Sequence, residues 1–181
     1  MLQRGSQARF MPGVWVFAGG VVEEADRSLA SDFAPDGVEP DEMAHRICGA
    51  RELGEEAGLT VEAAALLPWS RWITPKQVPM RFDTRFYVGL APAHAKPEPD
   101  LVEMAAARWV RPAEALAEQG DGFELSFPTV KHLEELRRFE DAEAVLANAA
   151  ERPVVPLTPK VVGTADSFEI ILPGEPGYDE A

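Results

Sequence analysis

The sequence has a single cysteine, no long apolar run and few positive charges for its length. Because the lone Cys48 has no partner for an internal disulfide, a reducing compartment fits, and we expect a cytoplasmic protein. No apolar run approaches the roughly 20 residues of a membrane span. The first residues also lack the basic, apolar and small-residue succession of a signal peptide. We therefore expect no membrane partner.

The chain is strongly acidic. The chain has 17 Lys and Arg against 31 Asp and Glu, which gives a formal net charge of −14. General nucleic-acid binding needs a basic footprint, so this balance argues against a nucleic-acid partner. It leaves room for a small polyanionic substrate, provided that a divalent cation bridges the two negative partners.

The remaining composition is that of a globular domain. With 181 residues, 46% of them hydrophobic, one domain over 1–181 is the default expectation. Sequence patterns predict strands at 14–17, 81–90, 105–110 and 167–172, helices at 111–120 and 129–150, an exposed loop at 27–41, and a proline-spaced tail from 153. Core candidates in the helical region are Val130, Leu133, Leu136, Val145 and Leu146. Strands mixed with helices indicate an α/β sandwich.

The stretch "RELGEEAGL" at 51–59 carries three glutamates at helical spacing, Glu52, Glu55 and Glu56. We predict a helix from about Asp41 to a left-handed cap at Gly58, with an apolar stripe of Met43, Ile47, Ala50, Leu53 and Ala57. Like charges at this spacing disfavour a helix by roughly 0.2–0.5 kcal/mol per pair. For the glutamates alone, a solvated acidic face remains an equal alternative to a functional site.

A diglycine bend precedes this helix in "FAGGVVEEAD" at 17–26. Glycines let a backbone approach a ligand closely and expose a carbonyl. Helical carboxylates together with such a carbonyl make an all-oxygen site, which suits hard Mg²⁺ or Mn²⁺. A zinc site using His45 and Cys48 is the weaker alternative, because these two ligands have no partners.

These residues resemble the Nudix box of the Nudix hydrolases. "RELGEEAGL" matches the second half of the box, while Gly20 and Asp26 match the first half, with aspartate in place of glutamate. Two departures stand out. The spacer at 27–50 is much longer than in the family pattern, and Ala18 replaces the proline of Phe-Pro-Gly-Gly. Because loop closure entropy grows only slowly with length, an insertion at 27–41 still allows the two halves to meet.

The resemblance implies a Nudix-type α/β/α sandwich with a mixed sheet and a metal-dependent attack of water on a diphosphate. It implies that Mg²⁺ or Mn²⁺ binds Glu52, Glu55, Glu56 and the Gly19 carbonyl, and that Arg51 orients the glutamates. Glu52 is a ligand or the general base. Two interpretations of Glu103 stay open: an additional carboxylate of the site, or a solvated loop acid.

Upstream of the box, "RGSQARFMPGVWVFAGG" at 4–20 resembles the signature of the coenzyme A diphosphatase branch, although Gly5 and Ala18 depart from it. "WITP" at 72–75 and the closing "LPGEPGYD" also resemble this branch, which includes an animal peroxisomal enzyme. The resemblance implies coenzyme A or an acyl derivative as substrate. Guanidinium groups suit phosphate, and the candidates are Arg4, Arg9, Arg81 and Arg85.

Several alternatives stay open at this stage. Each arginine could instead pair with a surface acid. The substrate could be another nucleoside diphosphate derivative, such as ADP-ribose or a dinucleotide. The chain could also be a non-catalytic binding module. The tryptophans Trp15, Trp69, Trp72 and Trp109 could stack on adenine, although core positions are the commoner role.

The two ends of the chain carry further expectations. "MLQRG" resembles the inside of the first strand of the fold, so we expect that strand to be truncated. A homodimer would cover the resulting edge. Residues 153–181 form a C-terminal extension. The closing "DEA" is not a peroxisomal address, so the location of the animal relative does not carry over.

Overall fold

The computed structural model describes residues 1–78, 80–120, 122–164 and 167–179. Its strands are β1 (Leu2–Arg4), β2 (Trp15–Val16), β3 (Leu67–Ile73), β4 (Asp83–Val88), β5 (Met104–Ala107), β6 (Pro156–Leu157), β7 (Lys160–Thr164) and β8 (Ser167–Ile171). Its helices are α1 (Glu24–Phe33), α2 (Pro40–Ala57), α3 (Pro112–Ala117), α4 (Phe127–Leu136) and α5 (Ala142–Glu151). A short 3₁₀ turn covers Ala63–Ala65.

The strands form two three-stranded sheets and one hairpin. The first sheet has the order β2-β1-β5 and is antiparallel. The second has the order β4-β3-β6, in which β3 and β4 are antiparallel and β3 and β6 are parallel. The hairpin joins β7 and β8. The predicted α/β architecture with a mixed sheet is confirmed.

Helix α2 forms where the periodic stripe predicted it. Pro40 occupies its first turn, where a missing N–H is harmless. Gly58 ends it with φ +64°, a left-handed conformation that glycine adopts without strain. Met43 and Ala44 are buried against Ala30 of α1, so the apolar face of α2 packs on the preceding helix.

The prediction of an exposed loop at 27–41 is wrong over most of its length. Residues up to Phe33 belong to α1, and only the short stretch before Pro40 is loop. The Glu23 N–H donates to Asp26 Oδ2 at 2.9 Å and satisfies one end of the helix. Ala30, which is fully buried, packs against α2. Tertiary packing and capping therefore override a composition rich in Ser, Asp, Pro and Gly.

The helical region predicted at 129–150 is two helices rather than one. Helix α4 ends at Leu136, and Asp141 begins α5 by accepting a hydrogen bond from the Ala144 N–H at 2.8 Å. An aspartate N-cap restarts a helix in this way. Of the five core candidates in this region only Leu133 is fully buried; the others, Val130, Leu136, Val145 and Leu146, are half-buried.

Strand β1 is short and lies between β2 and β5, with hydrogen-bonded neighbours on both sides. It is therefore not an edge, and the homodimer expected from an uncovered first strand stays a prediction. In the C-terminal extension, β6 adds to the second sheet beside β3. No helix among the described residues is both long and apolar enough to cross a membrane.

Candidate active site

The last turns of α2 carry Arg51, Glu52, Glu55 and Glu56, and the bend after β2 brings Gly19 and Gly20 against them. The Gly19 N–H donates to Glu56 Oε2 at 2.9 Å. At Gly20, an added Cβ would collide with the carboxylate of Glu52. A side chain at position 20 would therefore displace the Glu52 carboxylate from its present position. The predicted meeting of the bend and the acidic helix is present in the fold.

Arg51 is the centre of an ion-pair network. Its Nε donates to Asp26 Oδ1 at 3.2 Å, and its Nη2 donates to Asp26 Oδ2 at 3.1 Å. Its Nη1 donates to Glu52 at 2.8 Å and to Glu55 at 3.1 Å. Its hydrogen bonds to Asp26 and Glu52 raise the pKa of Arg51. One guanidinium thus positions two of the three predicted metal ligands, and Asp26 positions the guanidinium.

Asp26 is almost completely buried, with 1% of its surface exposed. Burial by itself would raise the pKa of this carboxyl, but the hydrogen bonds and charge of Arg51 outweigh it, so the pKa lies below its usual range. The sequence analysis assigned Asp26 to the first half of the box. The structure adds that this carboxylate anchors Arg51 from α1, across the long spacer.

Glu56 differs from its two neighbours because it is buried, at 5% exposure. Burial raises its pKa to about 7, the charges of Glu52 and Glu103 add to the effect, and the Gly19 N–H and Arg4 oppose it. The backbone carbonyl of Glu103 accepts from the Gly5 N–H at 2.8 Å, which holds β5 beside β1. The charges of two further carboxylates therefore act on Glu56, while Arg51 pairs with Glu52 and Glu55.

That donor set fits a hard divalent cation, since carboxylate oxygens are the ligands that Mg²⁺ and Mn²⁺ prefer. Among the described residues, however, no group of three metal-binding side chains is already assembled. The reason is visible in the ion pairs, because Arg51 engages both Glu52 and Glu55. Glu55 is also 61% exposed at its side chain. The Arg51 guanidinium therefore holds Glu52 and Glu55, whereas the Gly19 N–H binds Glu56.

The zinc alternative is weakened by the surroundings of Cys48. This thiol is buried, and burial raises its pKa to about 11, so it is protonated at neutral pH. Its Sγ lies 3.7 Å from Arg51 Nη2, which makes the cysteine part of the wall behind the network. His45 Nδ1 lies 2.7 Å from the Asp41 carbonyl of its own helix. These contacts place both residues in structural roles.

The four arginines predicted to bind substrate fall into two groups. Arg85 binds Asp41 at 2.6 Å and Glu42 at 3.1 Å, so both of its terminal nitrogens are engaged by carboxylates. Arg4, Arg9 and Arg81 have no ion pair to any residue that the structure describes. The geometry favours a structural role for Arg85 and leaves the other three available for an anion.

Three of the four tryptophans, Trp15, Trp69 and Trp72, are buried. Trp109 is 58% exposed, and its indole N–H donates to the Ala95 carbonyl at 2.8 Å. Trp72 and Phe86 pack around His132, whose Nε2 lies 2.6 Å from Ser70 Oγ and whose Nδ1 lies 2.6 Å from the Pro128 carbonyl. The tryptophans are thus mainly core residues.

One residue beside the site escaped the sequence analysis. Asp100 accepts hydrogen bonds from the N–H groups of Val102, Glu103 and Met104, at 2.8 to 3.2 Å. These hydrogen bonds fix the turn that carries Glu103 and leads into β5. A signal was available, since an aspartate followed by a short loop commonly binds backbone N–H groups two to four residues on.

The comparisons with known proteins agree with this geometry. A family model described as "NUDIX domain" matches residues 1–131, which is well over half of the chain. The chain belongs to the Nudix family. Membership supports pyrophosphohydrolase activity, and the enzymes of this family generally use divalent metals. In fold, the chain is similar to a NUDIX hydrolase from Alicyclobacillus acidocaldarius, with a TM-score of 0.71 and 22% identity over 84% of this chain and 88% of that one.

Three curated relatives have a somewhat higher sequence identity to the chain than this structural neighbour has. The chain is 29% identical to "Putative nudix hydrolase 7" of Caenorhabditis elegans over 90% of its own length. It is 25% identical to the "Acyl-coenzyme A diphosphatase NUDT19" of Homo sapiens over 99% of its length, and 26% identical to the protein of the same name from Gallus gallus. The chain spans 64% of the worm protein and 72% of each vertebrate protein.

Proposed function

We propose that this protein hydrolyses the diphosphate linkage of a nucleoside diphosphate derivative, with coenzyme A or acyl-coenzyme A as substrate and Mg²⁺ or Mn²⁺ as the required ion. The observation that carries the proposal is the buried Glu56, which is bound by the Gly19 N–H and crowded by Glu52 and Glu103. A divalent cation stabilises carboxylates that lie close together in a partly buried site.

The proposal gives each side chain a task. Glu52, Glu55 and Glu56, with the Gly19 carbonyl, hold the ion, which when bound neutralises diphosphate oxygens and lowers the pKa of water. Glu52 either shares in binding or accepts the proton of the attacking water. Arg51 holds Glu52 and Glu55 and is itself anchored by Asp26, so these two glutamates would have to release the guanidinium in order to hold an ion.

Substrate choice rests on the three arginines that lack a carboxylate partner. Arg4 lies near enough to Glu56 to lower its pKa, so its guanidinium borders the site where the diphosphate would sit. Arg9 and Arg81 are exposed and suit a further phosphate, such as the 3′-phosphate of coenzyme A. The names of the human and chicken relatives point to the same substrate class. The cytoplasmic location and the homodimer stay predictions.

Two other functions remain as alternatives. One is hydrolysis of a different nucleoside diphosphate derivative, such as ADP-ribose or a dinucleotide, which the same carboxylates would support. The other is a binding module without turnover. The intact set of Glu52, Glu55 and Glu56 speaks against the binding module, because a module that only binds has no need of these mutually repelling carboxylates.

A substrate panel tests the proposal. The protein is incubated with Mg²⁺ or Mn²⁺ and with coenzyme A, acetyl-coenzyme A, ADP-ribose and a dinucleoside diphosphate, and the products are separated by chromatography. We expect coenzyme A to yield adenosine 3′,5′-bisphosphate and 4′-phosphopantetheine. Cleavage of ADP-ribose or the dinucleotide alone would overturn the substrate assignment, and no cleavage of any compound would favour the binding module.

A further inference from the structure

Two Arg-Phe dipeptides that lie far apart in the sequence meet at the surface. Arg9–Phe10 belongs to the turn between β1 and β2, and Arg81–Phe82 precedes β4. The rings of Phe10 and Phe82 contact each other with centroids 6.4 Å apart and planes tilted by 53°. Both side chains nevertheless remain about half exposed, at 49% and 45%. An exposed pair of aromatic rings is unusual enough to need an explanation.

A third Arg-Phe dipeptide, Arg85–Phe86, illustrates a purely structural role. Arg85 is locked to Asp41 and Glu42, and Phe86 packs against His132 with a centroid separation of 4.2 Å. Core packing and ion pairing account fully for that dipeptide. They do not account for the first two, whose arginines have no ion pair within the described residues and whose rings face solvent.

Arg4 connects this aromatic pair to the carboxylates. Its Nε donates to the Phe10 carbonyl at 3.0 Å, and it ends β1, whose Leu2 packs with Ala57, the neighbour of Glu56 in α2. Strand β1 therefore contacts both the turn that carries Phe10 and the acidic end of α2. Met11, next to Phe10, has φ +47°, a conformation that is uncommon outside glycine and is often found at functional sites.

We propose, as an extension of the function proposed above, that Phe10 and Phe82 form the platform on which the nucleobase of the substrate stacks. Arg9 and Arg81 are the exposed neighbours of these rings in sequence, and a guanidinium suits a phosphate of the same nucleoside. A flat base needs only the open face of a ring, whereas an acyl chain is stabilised by an enclosing apolar groove. The flanking arginines also favour a nucleotide over an acyl chain.

Binding without turnover tests this platform. Adenosine 3′,5′-bisphosphate contains the base and two phosphates but no diphosphate linkage, and it is titrated calorimetrically in the presence of a chelator. Base stacking on an aromatic side chain contributes about 1–3 kcal/mol. We therefore expect Phe10→Ala and Phe82→Ala each to weaken binding by roughly 5- to 150-fold. Phe33→Ala, which removes another exposed phenylalanine from the end of α1, is the matched control and should bind as the parent does.

Conservative variants separate stacking from simple apolar contact. Phe10→Leu and Phe82→Leu keep a large apolar side chain but lose the ring face, so they should bind almost as poorly as the alanine variants, while Phe10→Trp and Phe82→Trp retain binding. Arg9→Gln and Arg81→Gln should weaken adenosine 3′,5′-bisphosphate more than adenosine. A thermal unfolding curve for each variant confirms that these exposed positions do not affect folding.

The outcomes distinguish the platform from the proposed function. If the parent protein fails to bind the bisphosphate, or if the leucine variants bind it as the parent does, the platform is overturned even when hydrolysis is observed. If no diphosphate is cleaved while binding still depends on Phe10 and Phe82, the hydrolase assignment fails and the platform stands. If hydrolysis proceeds with the same KM in the alanine variants, the hydrolase assignment stands and the platform is overturned.

Discussion

The N–H of Gly19 donates to Oε2 of Glu56 across 2.9 Å, which ties the bend after β2 to the last turn of α2. Residues 37 apart in sequence are thereby fixed relative to each other. The same bend holds the Glu52 carboxylate where any side chain at position 20 would displace it. The two halves of the Nudix box thus form one unit despite the long spacer between them.

Metal binding should stabilise the protein through this unit. Saturating Mn²⁺ at about 100 times its Kd should add about 2.7 kcal/mol to the free energy of unfolding, because the ion binds only the folded state. Glu56→Gln removes the charge of the most buried of the three candidate metal ligands, so we expect its melting temperature to respond little to Mn²⁺. Differential scanning fluorimetry with and without a chelator measures both. Glu62→Gln, at an exposed glutamate outside α2, is the control, and an equal response in all three proteins would refute the metal assignment.

Removing Arg51 should destabilise the fold strongly. Arg51→Ala leaves Asp26, which is 1% exposed, as an uncompensated buried charge. Breaking such a pair from one side costs about 3–5 kcal/mol, which urea unfolding at neutral pH would detect. The control is Arg27→Ala, since Arg27 forms an exposed pair with Asp41 and such pairs contribute about 0–1 kcal/mol. A loss for Arg51→Ala no larger than that of the control would show that the network is not structural.

Helices α2 and α1 show how far the sequence could be interpreted. The first was predictable because its apolar stripe, its proline start and its glycine cap are all local signals. The second was missed because its support is not local: Ala30 packs against Met43, and Asp26 reaches Arg51. Its cap uses Glu23 rather than the usual Ser, Thr, Asn or Asp, so the common start signal is absent.

At the site, the sequence was informative about where the candidate metal ligands lie and less so about the contacts that these side chains make. The spacing of Glu52, Glu55 and Glu56 placed them on the correct helix, and the diglycine predicted the close approach. Sequence alone does not show that Arg51 forms ion pairs with Glu52 and Glu55. Nor does it show that Arg85 forms ion pairs with Asp41 and Glu42. Those outcomes depend on which side chains of distant segments become neighbours.

Stability should depend on pH through His132. This buried imidazole has its pKa lowered to about 4, chiefly by burial, against an ordinary value of 6.5. Between pH 6.5 and about 4 the unfolded chain binds a proton that the folded chain does not. The contribution of His132 is therefore complete above pH 6.5 and declines as the pH falls through this window. Urea unfolding of the metal-free protein at pH 7 and pH 5 measures the loss.

A variant isolates the histidine from other titrating groups. His132→Gln removes the titration, so the part of the slope between pH 5 and pH 7 that belongs to His132 should disappear. His45→Gln, which makes the same change at a histidine in the first half of α2, is the matched control. If His132→Gln shows the full parent slope, the neutral buried imidazole is not its source.

Replacing Arg81 should change KM, whereas replacing Arg85 should change stability. Arg81→Ala removes a guanidinium without a carboxylate partner among the described residues, so we expect KM to rise by about 10- to 100-fold, the value of a charged hydrogen bond of about 1.5–3 kcal/mol. Arg85→Ala should lower the melting temperature, since it leaves Asp41 and Glu42 unpaired, and should leave KM nearly unchanged. Steady-state kinetics with coenzyme A and thermal unfolding together make the distinction. The reverse pattern would assign the substrate phosphate to Arg85.

The most direct test of the account is turnover in ¹⁸O-labelled water by the parent protein and by Glu56→Gln, with coenzyme A and Mn²⁺. We predict that the parent incorporates one labelled oxygen at phosphorus per cleavage. Glu56→Gln should lose about 100-fold or more in kcat, because even the hydrogen-bond partners of metal ligands are worth about 10- to 100-fold. Undiminished cleavage by Glu56→Gln, or label absent from both phosphate products, would contradict the central claim that this carboxylate cluster directs a metal-activated water onto a diphosphate.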